Sequence, residues 1–256
     1  MKQAIQRVAH RGGSHLAPEN TLAAFSNALN FPIDAIELDV HMSRDGHAIV
    51  FHDNTVERLT DGKGNILDLD FAYLRSLNAA AHFPGGWPTA EQTPTLNEVL
   101  NFAKGRVKVN IEIKRSNRGS MYGFYPGIVE AVLNEVRAAD LLEQVFVLSF
   151  GWPMLQELKS LEPSIPVGAL IRDEQWIAYS DVKNVFDVIM SQVTALGCDW
   201  INILHHLYTD SMIDAAHKCG FKLGVWSVNE KDELYRLSLA GVDSLTSDRP
   251  DLFAYL

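Results

Sequence analysis

Short apolar runs alternate along this chain with longer stretches whose apolar residues recur at helical spacing. The runs at 5–9, 35–41, 107–113, 145–149, 166–170, 200–204, 222–228 and 242–246 are rich in Val, Ile and Leu and short enough to be strands. Between them lie amphipathic patterns. Over 19–29, Leu22, Phe25, Ala28 and Leu29 share one stripe, and over 95–104, Thr95 is a natural N-cap with Glu98 placed to complete a capping box. Helices are also predicted at 126–139, 153–161, 209–219 and 231–239. Ser43-Arg44-Asp45-Gly46 is a hairpin turn, after which 47–51 returns as a strand.

Strands separated by helices imply a parallel sheet, because parallel crossovers need a helix. Eight such units in 256 residues predict a closed α/β barrel, the (β/α)8 TIM fold, as a single domain over 1–256. Segment 171–199 has room for two more elements. Residues 54–92, rich in Gly, Asp, Asn and Pro with a short helix at 69–77, form a small insertion after the second barrel strand. There is no linker, internal repeat or low-complexity run.

Composition changes this picture little. At 47% hydrophobic and 21% charged residues the chain is ordinary globular protein. The formal net charge of −10 excludes nucleic-acid binding through a broad basic surface, but not an anionic substrate held in a cleft. Cys198 and Cys219 have no zinc spacing and read as buried free thiols of a reducing compartment. No apolar run is long enough for a signal-peptide core or a membrane span, so a cytoplasmic protein without stable membrane insertion is expected, monomer or homodimer.

Barrel chemistry sits at the C-terminal ends of strands. There the chain carries His10-Arg11-Gly12-Gly13, then Glu37 and Asp39, then His52-Asp53, then Glu112 and Lys114, and later Trp226 and Asp248. Glu37 and Asp39 are two apart on a strand and face the same way. Two carboxylates side by side in an apolar sheet repel and lose hydration, and a divalent cation relieves both costs. Glu112 supplies a third oxygen ligand, with Lys114 on the same side. The alternative is a Glu112–Lys114 ion pair within the barrel. Counting back from the turn sets His52 opposite Glu37 and beside this cluster. Two imidazoles next to a cation can serve as general base and general acid. Arg11 matches phosphate oxygens in a bidentate fork, with an ion pair to Glu37 as the alternative. Together the set indicates metal-assisted chemistry on a phosphate ester.

The motifs AHRGG (9–13), APENT (17–21), IELDVHMSRDGHAIVFHD (36–53), TPTLNEVL (93–100), NIEIK (110–114), LSF (148–150), VWSVN (225–229) and SDRP (247–250) occur in that order over nearly the whole chain. In this series the sequence resembles the glycerophosphodiester phosphodiesterase family. The resemblance implies a (β/α)8 barrel with an insertion after the second strand. It also implies a small glycerophosphodiester as substrate, with sn-glycerol 3-phosphate and an alcohol such as choline or ethanolamine as products. By motif, it assigns acid/base roles to His10 and His52, and ligands of one Mg²⁺ or Ca²⁺ ion to Glu37, Asp39 and Glu112. Arg11 and Lys114 fall near the phosphate. Glu19 and Asn20 shape the entrance and support His10, and Trp226 gives the glycerol an aromatic wall unless it is barrel packing. Ser227 and Ser247 stand where the family usually has Thr. The implied route passes through a cyclic phosphate, with direct attack by water as its competitor. Lysophospholipase D-type and phospholipase C-like phosphodiesterases are the alternative activities, with the aromatic loop 115–127 (Arg115, Arg118, Tyr122, Phe124, Tyr125) and His82, Phe83 and Trp87 as candidate contacts to the leaving alcohol or a lipid chain. A non-enzymatic barrel fits poorly, because every acid/base and ligand residue is present.

Overall fold

The predicted strands are the staves of a closed barrel. The computed structural model describes residues 5–118 and 125–256. Its strands are β1 (Gln6–Ala9), β2 (Ala35–Met42), β3 (Ala48–Val50), β4 (Lys108–Ile113), β5 (Val145–Ser149), β6 (Val167–Ile171), β7 (Trp200–Leu204), β8 (Lys222–Trp226) and β9 (Ser244–Ser247). All but β3 run parallel in the order β1-β2-β4-β5-β6-β7-β8-β9, and β9 pairs with β1 to close the ring. Helices α1 (Leu22–Ala28), α2 (Phe71–Ser76), α3 (Leu96–Ala103), α4 (Ile128–Ala139), α5 (Trp152–Leu161), α6 (Asp173–Ile177), α7 (Val185–Ala195), α8 (Ser211–Lys218) and α9 (Lys231–Ala240) complete the described secondary structure, apart from short 3₁₀ turns.

Alternation along each strand sorts side chains between two environments. Ile36, Leu38, Val40, Val109, Ile111, Ile113, Ile201, Ile203 and Leu223 are buried in one large core with residues of the surrounding helices. Phe146, Leu148 and Leu170 form a separate cluster with Phe150, Trp200 and Trp226 against it, on the opposite side of the strands. Glu37, Asp39 and Glu112 share that inner side with them.

Local chemistry sets the boundaries. Thr21 caps α1 by accepting from the Ala24 N–H, and Asn20 at φ +59° breaks the helical path, so α1 starts later than the predicted 19. Thr95 and Glu98 form the predicted capping box at α3. Glu98 also takes two hydrogen bonds of 2.7 Å from Arg75, tying α2 to α3. The insertion thus packs on the barrel through α2 and a small core of its own, Ile49, Phe51, Val56, Ile66, Leu74 and Leu77. Segment 171–199 holds α6 and α7.

Two expectations change. The Ser43 N–H donates to the His47 carbonyl at 3.0 Å, so the hairpin loop is 44–46 with Gly46 at φ +85°. Pairing is Val40 with Val50, one residue off the predicted register, and His52 lies beyond the end of β3. Its side chain is placed by irregular backbone rather than by strand alternation. Cys198 is buried as expected, but Cys219 is exposed after α8. Among the described residues no helix is long and apolar enough to cross a membrane.

Candidate active site

Register builds the acidic cluster. β2 and β4 set Glu37 beside Asn110 and Asp39 beside Glu112, neighbours about 4.8 Å apart in a sheet. Glu37, Asp39 and Glu112 are buried, and an oxygen of each lies within 4.8 Å of the others. Burial and the Asp39 charge push the Glu37 carboxyl up to about 8. Burial acts the same way on Asp39, but Lys114, His52 and Arg11 outweigh it and hold that group well below the usual range. Without a cation the cluster therefore resists full ionisation at neutral pH. Buried, closely set oxygen donors with one carboxyl kept protonated fit a divalent cation.

Two side-chain cations flank the cluster. Lys114 Nζ lies 2.8 Å from Glu112 and 3.2 Å from Asp39, so the ion pair weighed from sequence exists as part of the cluster. Arg11 donates its backbone N–H to Glu37 at 2.9 Å and a guanidinium N–H to Glu19 at 3.0 Å, and its Nε sits 3.4 Å from Asp39. Arg11 holds φ +52°, followed by Gly12 at +79° and Gly13 at +90°. This left-handed run turns the chain sharply after β1 and aims the Arg11 amide at Glu37. A Cβ on Gly12 would lie 2.8 Å from Ala24 Cβ, so the turn seats directly on α1.

Both histidines are held the same way. His10 Nδ1–H donates to Asp248 at 2.6 Å, and Asp248 is fixed in turn by Ser14 and Asn229, each at 2.6 Å. His52 Nδ1–H donates to Asp53 at 2.5 Å, and Asp53 is gripped by Arg58. Carboxylates only accept, so both rings carry the proton on Nδ1 and keep Nε2 available for chemistry. His10 Nε2 lies 3.9 Å from Glu37. Burial and Arg11 press the His10 imidazole toward neutrality, but Asp248 and Glu37 prevail and raise its pKa.

His10, Arg11, Glu37, His52, Glu112, Lys114 and Trp226 line one cavity of about 300 Å³. Asp39 completes the acidic cluster. Leu148, Leu170, Phe150 and Trp226 make the opposite, apolar wall. Trp226 Nε1–H donates to the Asn202 carbonyl at 3.0 Å, and its ring meets Phe150 edge-on at 5.6 Å. Asn110 and Asn202, also lining the cavity, each keep one buried side-chain polar atom without a partner.

Glu19 and Asn20 do not support His10. Glu19 binds Arg11 and Arg58, and Asn20 donates to Asp39 at 2.8 Å, so their support goes to the guanidinium and the acidic cluster. Asp248 holds His10 instead, 238 residues away along the chain. His41, buried and pushed down to about 3 by burial and the Lys114 charge, is neutral and donates from Nε2 to the His52 carbonyl at 3.1 Å. It fixes the backbone that carries His52. Tyr125 is spent on β2, exchanging hydrogen bonds with Met42, and Arg118 pairs with Asp68. Tyr122 and Phe124 lie outside the described residues. His82 and Phe83 line a neighbouring cavity that also reaches His10, and Trp87 stacks edge-on against Phe83 at 5.5 Å. Sequence reading places Asp53 at a strand end without a role, whereas Arg58, Phe150, Arg172, Asn110 and Asn202 join the site only in the structure. For Asn110 and Arg172 a signal existed: each continues the inward i, i+2 series of its strand, below Glu112 and above Leu170.

Residues 10–252 match the model of the Glycerophosphoryl diester phosphodiesterase family. A glycerophosphodiester phosphodiesterase of Caldanaerobacter subterraneus subsp. tengcongensis is 34% identical over 248 residues, covering 95% of this chain and 94% of the relative. Among solved structures, a glycerophosphodiester phosphodiesterase from Agrobacterium tumefaciens superposes with a TM-score of 0.80 at 28% identity, covering 99% of this chain and 100% of its own. An Oleispira antarctica phosphodiesterase in complex with the product sn-glycerol-3-phosphate gives a TM-score of 0.79 at 25% identity, over 98% and 96% of the two chains.

Proposed function

The chain belongs to the glycerophosphoryl diester phosphodiesterase family, and on that footing we propose that it hydrolyses glycerophosphodiesters to sn-glycerol 3-phosphate and an alcohol, as one barrel domain, by proton transfer between His10 and His52. The observation that carries the reading is the sharing of one cavity by two carboxylate-held histidines and a buried three-carboxylate cluster. The product bound to the Oleispira relative is the expected product here. A Mg²⁺ or Ca²⁺ ion held by Glu37, Asp39 and Glu112 would draw charge from the phosphate oxygens.

The protein's own groups do the rest. Arg11 and Lys114 bind the non-bridging oxygens. The apolar wall of Trp226 and Phe150 takes the glycerol carbons, and the unpartnered amides of Asn110 and Asn202 meet hydroxyls at the cavity floor. His10 Nε2 takes the proton of the glycerol 2-hydroxyl. That oxygen bonds to phosphorus, the bond to the leaving alcohol breaks, and His52 Nε2 gives the departing oxygen its proton. A five-membered cyclic phosphate results. Water then adds at phosphorus, its proton passes to His52, and His10 returns a proton to the 2-oxygen as the ring opens. Each histidine ends as it began.

His10→Ala and His52→Ala are expected to lower kcat by roughly 10²–10⁴ while the thermal midpoint stays near that of the parent. A diester lacking the 2-hydroxyl should not turn over. Full-rate hydrolysis of that analogue rejects the cyclic route in favour of direct attack by water, and full activity of either alanine variant rejects the histidine pair.

A further inference from the structure

We propose that Arg58, carried by the insertion, is a positioning residue for the reaction: its one guanidinium sets the aim of His52 through Asp53 and of Arg11 through Glu19. The proposal rests on the reading above in one respect, that His52 protonates the leaving alcohol.

Five side chains form a continuous row from the acid histidine to the phosphate-binding arginine. His52 Nδ1–H donates to Asp53 at 2.5 Å. Arg58 donates to Asp53 from Nε and Nη2 at 2.5 and 3.0 Å, and to Glu19 from Nη2 and Nη1 at 2.8 and 3.1 Å. Glu19 then accepts from Arg11 at 3.0 Å. Spanning two carboxylates with paired bonds takes a planar fork of donors, which a guanidinium has and an ammonium lacks. Burial would raise both carboxyls. At Asp53 the bonds from His52 and Arg58 outweigh it, and at Glu19 the Arg58 bond and the Arg11 charge do, so each stays below its ordinary value.

The Arg58 side chain is 47% exposed, yet it is held at both ends. The turn that carries it is fixed by Val56, buried in the insertion's core, whose carbonyl accepts from the Thr60 N–H at 3.0 Å and the Thr60 hydroxyl at 2.9 Å. Glu57 adds a bond at 2.9 Å from the Gly64 N–H. The two catalytic histidines differ here. Asp248, which holds His10, is tied by both Ser14 and Asn229, within the barrel's own loops. Asp53 has Arg58 as its one side-chain donor besides His52, among the described residues. Without that guanidinium Asp53 can swing away from Nδ1, and the His52 ring can turn Nε2 off the departing oxygen.

The test compares two substrates that differ in their need for an acid: sn-glycerol 3-phosphate esters of choline and of p-nitrophenol. A departing nitrophenolate is stable without a proton; a departing choline alkoxide is not. Single-turnover release of each is followed in Mg²⁺-supplied parent, Arg58→Gln, Arg58→Lys and His52→Ala proteins. Arg58→Gln should slow choline release by roughly tenfold to a hundredfold, the usual cost of losing an outer partner of a functional side chain. Nitrophenolate release should change little, while the half-saturating concentration rises for both esters alike, because both offer Arg11 the same phosphate. Arg58→Lys keeps the charge but one point of donation, and should recover part of the loss. His52→Ala should show the same selectivity for the choline ester, more strongly. Proton NMR reads the ring without turnover: the His52 Nδ1–H signal, identified by its loss in His52→Ala, should be sharp in the parent and broadened by exchange with water in Arg58→Gln. Equal losses on the two esters in Arg58→Gln, no loss on either, or an unchanged Nδ1–H signal overturns the proposal. Equal losses on the two esters in His52→Ala overturn the catalytic reading instead, and the ring signal then decides whether Arg58 holds His52.

Discussion

His10 and His52 are aimed by one device, a carboxylate on Nδ1 that is itself tied down: Asp248 by Ser14 and Asn229, Asp53 by Arg58. Asp248→Asn keeps a hydrogen-bond acceptor but removes the charge. It should lower kcat by roughly one to two orders of magnitude, part of what acid–base catalysis supplies. Since Asp248 helps raise the His10 pKa, the same variant should move the acidic limb of the rate profile to lower pH, because a base must be neutral to act. An acidic limb that stays put or moves up contradicts the assignment of His10 as base. Legibility at this scale follows the covalent geometry. Glu37/Asp39 and Glu112/Lys114 were readable because i, i+2 spacing fixes one face of a strand. The His10–Asp248 pair was not, because no local rule links residues at opposite ends of a chain. The contacts of Glu19 were not readable either, because its partners Arg11 and Arg58 come from two separate loops.

At the scale of elements, the turn after β1 is the most constrained piece. Gly12→Ala puts a Cβ at 2.8 Å from Ala24 Cβ and 2.9 Å from its backbone carbon, at a φ of +79°. The conformational cost of about 1 kcal/mol and overpacking of about 1–3 kcal/mol should lower stability by roughly 2–4 kcal/mol in urea denaturation. Gly46→Ala, at φ +85° with nothing within 4 Å, should lose only the first part, about 1 kcal/mol. Equal losses would show that the Gly12 contact is unimportant. Apolar periodicity located the strands and most helices to within a few residues. It failed where one polar residue decides a boundary: Asn20 delays α1 because its side chain is drawn to Asp39, and Gly46 adds a loop residue that slips the β2–β3 register by one. Asp173–Ile177 and Val185–Ala195 were legible only as space for two elements, because their apolar residues do not hold one helical stripe over the whole stretch.

For the whole molecule, the barrel interior is divided between an apolar wall from β5, β6 and β8 and a charged half from β1, β2 and β4. Closure of the ring was readable from the count of strand–helix units, whereas this division needed the register that joins Glu37 to Asn110 and Asp39 to Glu112. The charged half is unfavourable by itself. Glu37 titrates near 8 in the folded chain without a cation, against about 4.3 for an unperturbed Glu. Its raised value means that it contributes stability below the unfolded value, lost as pH rises toward about 8. A divalent cation should restore that stability by favouring the ionised form. The thermal-midpoint gain on adding Mg²⁺ or Ca²⁺ should therefore grow between pH ~5 and ~8, with proton release on binding. A gain that is flat with pH contradicts the proposed role of Glu37.

The central claim is that the three-carboxylate cluster and the histidine pair form one catalytic unit. The most direct measurement follows sn-glycerol 3-phosphate release from glycerophosphoglycerol by chelator-stripped protein, before and after Mg²⁺ or Ca²⁺ is restored, with Glu112→Gln alongside. Release is expected only with the cation, with a loss in Glu112→Gln comparable to that of His52→Ala. Undiminished release in the presence of chelator, or a fully active Glu112→Gln protein, contradicts the claim.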